Sequence, residues 1–190
     1  MQSAHIKQNV TKLALTILLG SAVLSMGVAQ ADPISAAVQT KVDASKKQLV
    51  EWAANPQVVS AVKESNAKGG IAGMTNGKWD ELADADATVT GLNQSAVGKQ
   101  ISKWEENKGI EKLNLRDEKG NLVASSSASG KPILYNNSSR PPFQNGLKGA
   151  WAAGEVKPDP TTQKKSVQIS APVMDGGKAI GVLHSAVLAE

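Results

Sequence analysis

The amino-acid sequence predicts an α+β domain in which an antiparallel sheet carries helices that precede it in the chain. Three observations support this fold class. Apolar side chains recur at helical spacing in residues 32–106, residues 111–188 alternate or form short apolar runs, and turn motifs separate those runs. Because helices come first and hairpins follow, an antiparallel sheet with helices packed on it is favoured over alternating parallel units.

Residues 1–31 precede these elements and have the three-part layout of a secretory signal peptide. Two lysines make the first part basic, residues 13–28 are uncharged, and residues 29–31 read Ala-Gln-Ala, the small-x-small pattern that a signal peptidase recognises. The alternative is an uncleaved anchor, but a spanning helix needs about 20 apolar residues. We therefore expect cleavage, which leaves residues 32–190 as a single exported, periplasmic domain.

Composition narrows the functional classes for this domain. The chain has no cysteine, which excludes disulfides, thiolate metal sites and a cysteine nucleophile. This fits a bacterial periplasm better than a eukaryotic exterior. Of the 21 basic residues, 19 lie beyond the signal peptide and face 17 acidic ones, a net charge of +2. These charges are dispersed, which argues against a nucleic-acid partner.

Two helices are expected at the start of the domain. The first begins at Asp32-Pro33, where Asp32 is the N-cap and proline takes the first helical position. It ends near Asn55, because the residue before a proline avoids helical geometry. Asn55-Pro56 starts the second helix, and Gly69-Gly70 ends it.

The chain between the second helix and the first strand contains a loop and a third helix. Residues 71–92 include glycines and four acidic residues, so we expect a loop with a short turn near Trp79. Asn93 is the expected N-cap of the third helix. Residues 107–109, Asn-Lys-Gly, are expected to end it.

The rest of the chain is expected to form hairpins around one irregular stretch. Residues 111–116 alternate polar and apolar side chains, as a half-buried strand does, and residues 121–125 are the returning strand. A loop rich in serine, glycine and proline covers residues 126–142. The remaining expected elements are a short helix at 143–152 and strands at 154–157, 166–173 and 178–188.

Four segments of this second half carry a family resemblance when they are taken in order. They read LNLRDEKGNLVAS at 113–125, RPPFQNGLKG at 140–149, a strand ending in Ala-Pro-Val at 167–173, and IGVL at 180–183. Together they resemble the Cache domains, the PAS-like extracellular sensors of bacterial chemoreceptors and histidine kinases. The resemblance implies a PAS-like antiparallel sheet of the single-module type, with a long N-terminal helix packed on it.

The same resemblance implies a sensory function. Family members usually sit between two membrane helices with a signalling domain after them, and this chain ends near the last strand of the sensor. We therefore expect a free-standing sensor that binds a small molecule and passes its signal to a separate membrane receptor or transporter.

Tyr135, Arg140 and Phe143 form the most informative cluster of side chains. They include the single tyrosine, the single phenylalanine and one of two arginines, against 19 lysines. A planar guanidinium binds a carboxylate through two parallel hydrogen bonds, and aromatic walls would exclude water. The alternative is structural, with Arg140 paired to an acid or to loop carbonyls and Phe143 anchoring the next helix.

The Cache resemblance favours ligand binding at this cluster. Amino-acid-binding members have Tyr, four residues, Arg, one residue, Trp and then Tyr, with an Asp further on. Tyr135 and Arg140 keep that spacing, and Asp175 is the match for the Asp. Pro142 replaces the Trp, and Phe143 lacks the hydroxyl of the last tyrosine. The resemblance therefore implies a carboxylate or other small anion rather than an amino acid.

His184 is the one histidine of the exported domain. A catalytic triad would need a nucleophile beside it, and no serine is marked as one. Strand alternation places His184 on a face with Val182, so we expect it in the core or lining the pocket, and we add Trp151 as a further lining residue.

No catalytic set and no metal site can be assembled from these residues, so a binding domain without enzyme activity or cofactor is expected. Two hypotheses remain: a sensory domain for a small carboxylate, and a ligand-free protein with a Cache fold that docks on a membrane receptor or transporter.

Overall fold

The computed structural model describes residues 34–106, 110–126, 130–160 and 162–189, and it confirms the α+β class. The predicted signal peptide and the predicted helix start at Asp32-Pro33 lie outside these residues. The elements follow one another as α1 (Ala36–Ala53), α2 (Pro56–Lys68), α3 (Asn76–Asp80), α4 (Ala87–Gln94), α5 (Ala96–Glu105), β1 (Ile110–Asp117), β2 (Leu122–Ser125), α6 (Pro141–Leu147), β3 (Ala152–Pro158), β4 (Lys165–Asp175) and β5 (Lys178–Leu188).

The five strands form one antiparallel sheet in the order β2-β1-β5-β4-β3. β5 is the central strand, and it pairs with β1 on one side and β4 on the other. Because alternate side chains point to opposite faces, the register fixes which residues meet on each face. On the face that α6 covers, two rows of side chains cross neighbouring strands. They are Arg116–Val182–Pro172 and Asn114–His184–Ser170.

The opposite face carries the main hydrophobic core, beneath α1, α2 and α5. Leu49 of α1, Val62 of α2 and Ile101 of α5 pack there in one cluster with Ile169 and Leu183 of the sheet. All five side chains are fully buried, and burial of each stabilises the fold by about 1.5–3 kcal/mol. No helix in the described segments is long and apolar enough to cross a membrane.

α6 covers the other face of the sheet, across β4 and β5. Gly146 allows this close approach, because a Cβ there would stand 2.7 Å from Cγ1 of Val182 and 3.3 Å from Cβ of Ser170. The helix is shorter than the predicted 143–152, since Gly149 takes a left-handed conformation with φ of +84°. Trp151 consequently lies between α6 and β3 rather than on the helix.

The predicted loop at 71–92 was wrong, since this stretch contains α3 and α4. The Thr75 and Asp86 side chains accept capping hydrogen bonds at the two helix starts. Trp79 of α3 and Val89 of α4 are buried in a second, small core with Leu122 and Tyr135. Those contacts join residues far apart in sequence, so local turn signals did not reveal them.

One predicted helix cap differs from the structure. Ser95 caps α5, where Asn93 was expected, and Ser35 is the N-cap of α1. Asn93 belongs to the end of α4, and its side-chain oxygen accepts a hydrogen bond from the Ser125 hydroxyl on β2. The second helix follows the prediction, with Asn55 as N-cap and Gly69 as C-cap.

Candidate functional site

Tyr135 lies in the second core, and its hydroxyl already has a hydrogen-bond partner. The phenolic oxygen accepts a hydrogen bond of 2.6 Å from the backbone N–H of Ile71. Its ring lies 5.8 Å from the ring of Trp79, centroid to centroid. The tyrosine therefore connects the loop between β2 and α6 to the segment after α2, which is a structural role for its side chain.

Three other predicted ligand residues lie in three separate parts of the structure. Arg140 is exposed at the N-cap of α6, and its side chain makes no capping hydrogen bond. Trp151 is half-buried and packs against the main core. Asp175 forms an ion pair with Lys63 at 2.8 Å, and both side chains are about half exposed. The predicted ligand residues thus do not converge as one group.

Phe143 and His184 are the two predicted residues that the structure brings together. Phe143 of α6 is buried, and its ring centroid lies 6.2 Å from that of the imidazole. Nδ1 of His184 is 2.9 Å from the Ser170 hydroxyl, and Nε2 is 3.4 Å from the Asn137 amide nitrogen. As an amide nitrogen only donates, this arrangement corresponds to a proton on Nδ1 and an accepting Nε2.

The imidazole of His184 is neutral at pH 7. Burial first, and then the nearby charge of Arg116, lower its pKa to about 3. Such a weak base does not activate the Ser170 hydroxyl as a nucleophile. In the described ranges, no three His, Cys, Asp or Glu side chains gather to hold a metal ion.

Arg116 lies beside this histidine on the same face of the sheet, and it is almost completely buried, with 4% of its surface exposed. Its Nη1 donates to the backbone carbonyls of Tyr135 and, at 3.4 Å, Gly120, while Nη2 donates to that of Leu134 at 2.9 Å. The guanidinium is therefore held by carbonyl groups of the loop and turn rather than by a carboxylate.

Asp117 follows Arg116 in the chain but points to the helix-covered face of the sheet. Its carboxylate accepts hydrogen bonds from Ser65 of α2 and from Asn121 and Lys119 of the turn. Burial lowers the pKa of Arg116 to about 9, against the opposing effect of the Asp117 charge. The guanidinium remains protonated at neutral pH and provides a buried positive charge.

Two polar atoms of this region lack a hydrogen-bond partner in the described structure. They are Nε of Arg116 and Oδ1 of Asn137, and both are buried. The two residues share a neighbour, since the Asn137 backbone N–H donates to the same Gly120 carbonyl at 3.1 Å. Leaving a buried polar atom unpaired costs about 1–3 kcal/mol. We call Arg116, Asn137, Phe143, Ser170 and His184 the α6-face cluster.

Sequence reasoning did not identify Arg116 or Asn137, although a signal for Arg116 exists. It is one of only two arginines in the chain. Alternation along the first predicted strand puts it on the face opposite Leu113 and Leu115, which are apolar and buried. Asn137 carries no comparable signal, since it is one of several polar residues in a polar loop.

Two cavities formed by described residues lie away from the α6-face cluster. One of about 500 Å³ opens between α2, the end of α4, α5 and β2, with Ala61, Leu92 and Val97 among its lining residues. Another of about 470 Å³ runs along α1 beside Ile110. Neither is lined by a predicted ligand residue. Because Nε of Arg116 and Oδ1 of Asn137 are both buried, a ligand reaches these two atoms when α6 or the loop before it is displaced.

Comparisons with known proteins give structural matches only. No family model matches the chain, and no curated protein matches it. The sensor domain of the histidine kinase DctB of V. cholerae is similar, with 15% identity, a TM-score of 0.50 and coverage of 80% of this chain and 52% of that one. This chain thus spans about half of that sensor domain.

Two further similar structures are chemoreceptor domains. The ligand-binding domain of the Pseudomonas aeruginosa PAO1 amino acid chemoreceptor PctC, in complex with GABA, gives 15% identity, a TM-score of 0.45 and coverage of 81% and 56%. The sensory domain of the Campylobacter jejuni chemoreceptor Tlp3 gives 14%, 0.43, 80% and 63%. At these identities the similarity to DctB shows the fold alone: this chain has the predicted Cache-type fold.

Proposed function

We propose that this chain, which has a Cache-type sensor fold, is an exported sensory domain that binds a small carboxylate at the α6-face cluster without catalysis. The observation that carries the proposal is the buried guanidinium of Arg116, for which the described residues provide no carboxylate within ion-pair distance and no partner for Nε. In this proposal Arg116 provides the positive charge that the sequence pattern assigned to Arg140. Phe143 and His184 keep their predicted role as lining residues.

Electrostatics favour a negatively charged ligand at this position. Folded proteins rarely bury an arginine without pairing it, and removing its charge from water is costly unless an anion and hydrogen bonds compensate. Nη1 and Nη2 already bond to backbone carbonyls, and Nε has no hydrogen-bond partner among the described residues. A ligand carboxylate at Nε would supply the missing hydrogen bond and place a negative charge directly against the guanidinium.

The surroundings of Arg116 fit this role. His184 is neutral, so it adds no charge that would compete for the anion. The buried ring of Phe143 stands tilted beside the imidazole, with the two centroids 6.2 Å apart, and adds an apolar neighbour to the site. Since both unpaired atoms are buried, the ligand enters when α6 and residues 130–140 move away from the sheet. That movement is the proposed signal.

The first 31 residues support a periplasmic location for the proposed domain. Their basic, apolar and small-residue parts support export and cleavage, which would place residues 32–190 in the periplasm. A separate membrane receptor or transporter is the proposed recipient of the signal. The similar DctB structure is the sensor domain of a histidine kinase, which supports a sensory role.

A thermal-shift experiment tests the proposal. The protein is purified from the periplasm and heated with a panel of small carboxylates at millimolar concentration. A ligand that binds only the folded state stabilises it by about 2.7 kcal/mol at 100 times its dissociation constant. We expect at least one carboxylate to raise the melting temperature, and Arg116→Lys to abolish that rise, because an ammonium lacks the Nε donor.

Two results would overturn this function. One is the absence of a shift with every carboxylate of the panel. The other is a shift that survives Arg116→Lys but is lost in Arg140→Lys, which would move the site to the exposed end of α6. Circular dichroism of each variant without ligand shows whether the fold is retained.

The close packing of α6 favours a second candidate function, that of a ligand-free interaction protein. A Cβ at Gly146 would meet Val182 at 2.7 Å, so α6 fits the sheet without an intervening molecule. Native mass spectrometry of the periplasmic protein separates the two candidates. A retained small molecule supports the sensor, whereas a protein without ligand that co-purifies with a membrane receptor or transporter supports the interaction protein.

A further inference from the structure

We infer that the ligand of the α6-face cluster is a short hydroxylated monocarboxylate without an amino group. This inference rests on the proposed function and specifies its ligand class. It depends on the charges that face the cluster and on the two unpaired polar atoms, Nε of Arg116 and Oδ1 of Asn137.

The charges around the cluster fit a ligand with one negative charge. β1 contributes Arg116 and Asn114, β4 and β5 contribute Ser170 and His184, and the loop contributes Asn137. Among these facing groups Arg116 is the one charge. A dicarboxylate would therefore bury a second negative charge without a partner, which is strongly unfavourable.

An amino acid is also disfavoured, because among the described residues its ammonium group would find no free carboxylate at the cluster. Asp117 points to the helix-covered face and accepts hydrogen bonds from Ser65 and Asn121. Asp175, the residue that the family pattern predicts for this task, pairs with Lys63 near the turn between β4 and β5. A buried ammonium would thus lose its hydration without compensation.

The unpaired oxygen of Asn137 requires a hydrogen-bond donor. A carboxylate only accepts hydrogen bonds, so a simple fatty acid would leave Oδ1 of Asn137 unsatisfied. A hydroxyl group near the carboxylate donates one hydrogen bond without adding charge. A hydroxy acid therefore satisfies both atoms, with its carboxylate at Arg116 and its hydroxyl at Asn137.

The packing of α6 limits the size of the ligand. The Phe143 ring lies 6.2 Å from the imidazole of His184, and Gly146 touches the sheet one turn later. A long chain or a second ring would have to displace the whole helix. Acids of a few carbon atoms need only a small displacement, so they are the expected size class.

Glycolate, glycine and acetate form a matched set of probes for this inference. They share one carboxymethyl skeleton and differ in a hydroxyl, an ammonium or neither group. Titration calorimetry of the full exported protein is expected to give at least tenfold tighter binding for glycolate than for acetate, since a site built to bond a hydroxyl discriminates against analogues without it. Glycine is expected to bind more weakly than glycolate by at least the same factor.

A variant pair tests the role of Asn137. Asn137→Ala removes the acceptor and retains the backbone N–H that bonds to Gly120, so the glycolate-to-acetate preference is expected to fall towards one. Asn145→Ala changes an exposed amide on the outer side of α6, and it is expected to keep the preference. Loss of the preference in both variants would contradict the assignment to Asn137.

The outcomes separate this inference from the function on which it rests. Equal binding of acetate and glycolate would overturn the hydroxyl assignment, and tighter binding of glycine would overturn the charge argument. In both cases carboxylate binding that depends on Arg116 would still support the sensory function. If no probe and no other carboxylate binds, the proposed function itself fails.

Discussion

The two faces of the central sheet are built from the same strands, and they differ sharply in chemistry. On the helix-covered face, β4 and β5 bury Ile169 and Leu183 against α1, α2 and α5. On the α6 face, the neighbouring residues Ser170 and His184 hydrogen-bond to each other. One residue step along either strand therefore separates an aliphatic core from a buried polar cluster.

Because side chains alternate along a strand, one face can stabilise the fold while the other face carries polar groups. Apolar burial on one face supplies about 25 cal/mol for each Å² removed from water. The polar cluster instead leaves Nε of Arg116 and Oδ1 of Asn137 unpaired, which weakens the fold. The stable face thus allows the other face to carry groups that a ligand can satisfy. A register slip of one residue would exchange the two faces.

The largest effect is expected from the helix-covered face. Leu183→Ala deletes a fully buried side chain of β5, and such deletions cost about 2–5 kcal/mol. Urea unfolding of the two proteins measures the change. Ser170→Ala on the α6 face is the comparison, and it is expected to cost less than Leu183→Ala. Equal costs would show that the two faces do not differ in this way.

Gly146→Ala tests how closely α6 lies on its face of the sheet. The new Cβ would stand 2.7 Å from Cγ1 of Val182 and 3.3 Å from Cβ of Ser170, and overpacking of this kind costs about 1–3 kcal/mol. Gly91→Ala in α4 is the matched control, since nothing beyond the adjoining helix backbone lies within 4 Å of its Cβ position.

The control is expected to have the opposite sign. Alanine stabilises a helix interior by up to about 1 kcal/mol relative to glycine, and nothing near Gly91 offsets this gain. Thermal unfolding of both variants gives the comparison. A Gly146→Ala protein that is stabilised as much as Gly91→Ala would show that α6 is free to move outward at little cost.

The pH dependence of the free energy of unfolding provides a further test of the α6 face, through the titration of His184. Its folded pKa of about 3 lies below the unfolded value of 6.5, so the unfolded state binds more protons between these values. Stability is therefore full above pH 6.5 and falls as the pH is lowered from 6.5 towards 3. Between pH 7 and 5 the loss is up to about 2 kcal/mol, and it is reduced because His184 as a residue is only partly buried.

His184→Gln provides the measurement for this effect. The variant keeps a polar side chain and loses the titrating group, so its stability should fall less between pH 7 and 5 than that of the parent protein. Carboxylates titrate mainly below this range and are common to both proteins. Parallel curves of unfolding free energy against pH would contradict a buried, neutral imidazole.

The sequence predicted the sheet better than it predicted the site. The bounds of β5 agree with the expected 178–188, because turn signals and a long apolar run mark both ends of the strand. The second core could not be foreseen, since it joins Trp79 to Tyr135 across more than fifty residues. The N-cap prediction was wrong where two capping residues lie close together in sequence, at Asn93 and Ser95.

The site depends on tertiary packing in the same way. Both arginines are visible in the sequence, and the family spacing drew attention to Arg140. Which of them is buried depends on how the loop at 130–140 folds over β1, where its carbonyls accept hydrogen bonds from Arg116. Strand alternation predicts the face of the sheet on which Arg116 lies. It does not predict that the loop at 130–140 covers that face.

Arg140→Met is expected to have the smallest effect and to decide between the two arginines. Its guanidinium is exposed, and the described residues show no ion pair or capping hydrogen bond for its side chain. Surface changes of this kind alter stability by about 0.5 kcal/mol or less. Thermal unfolding with and without carboxylate should therefore give curves close to those of the parent protein. A lost ligand shift would instead mean that Arg140 folds inward on binding, as the family spacing predicts.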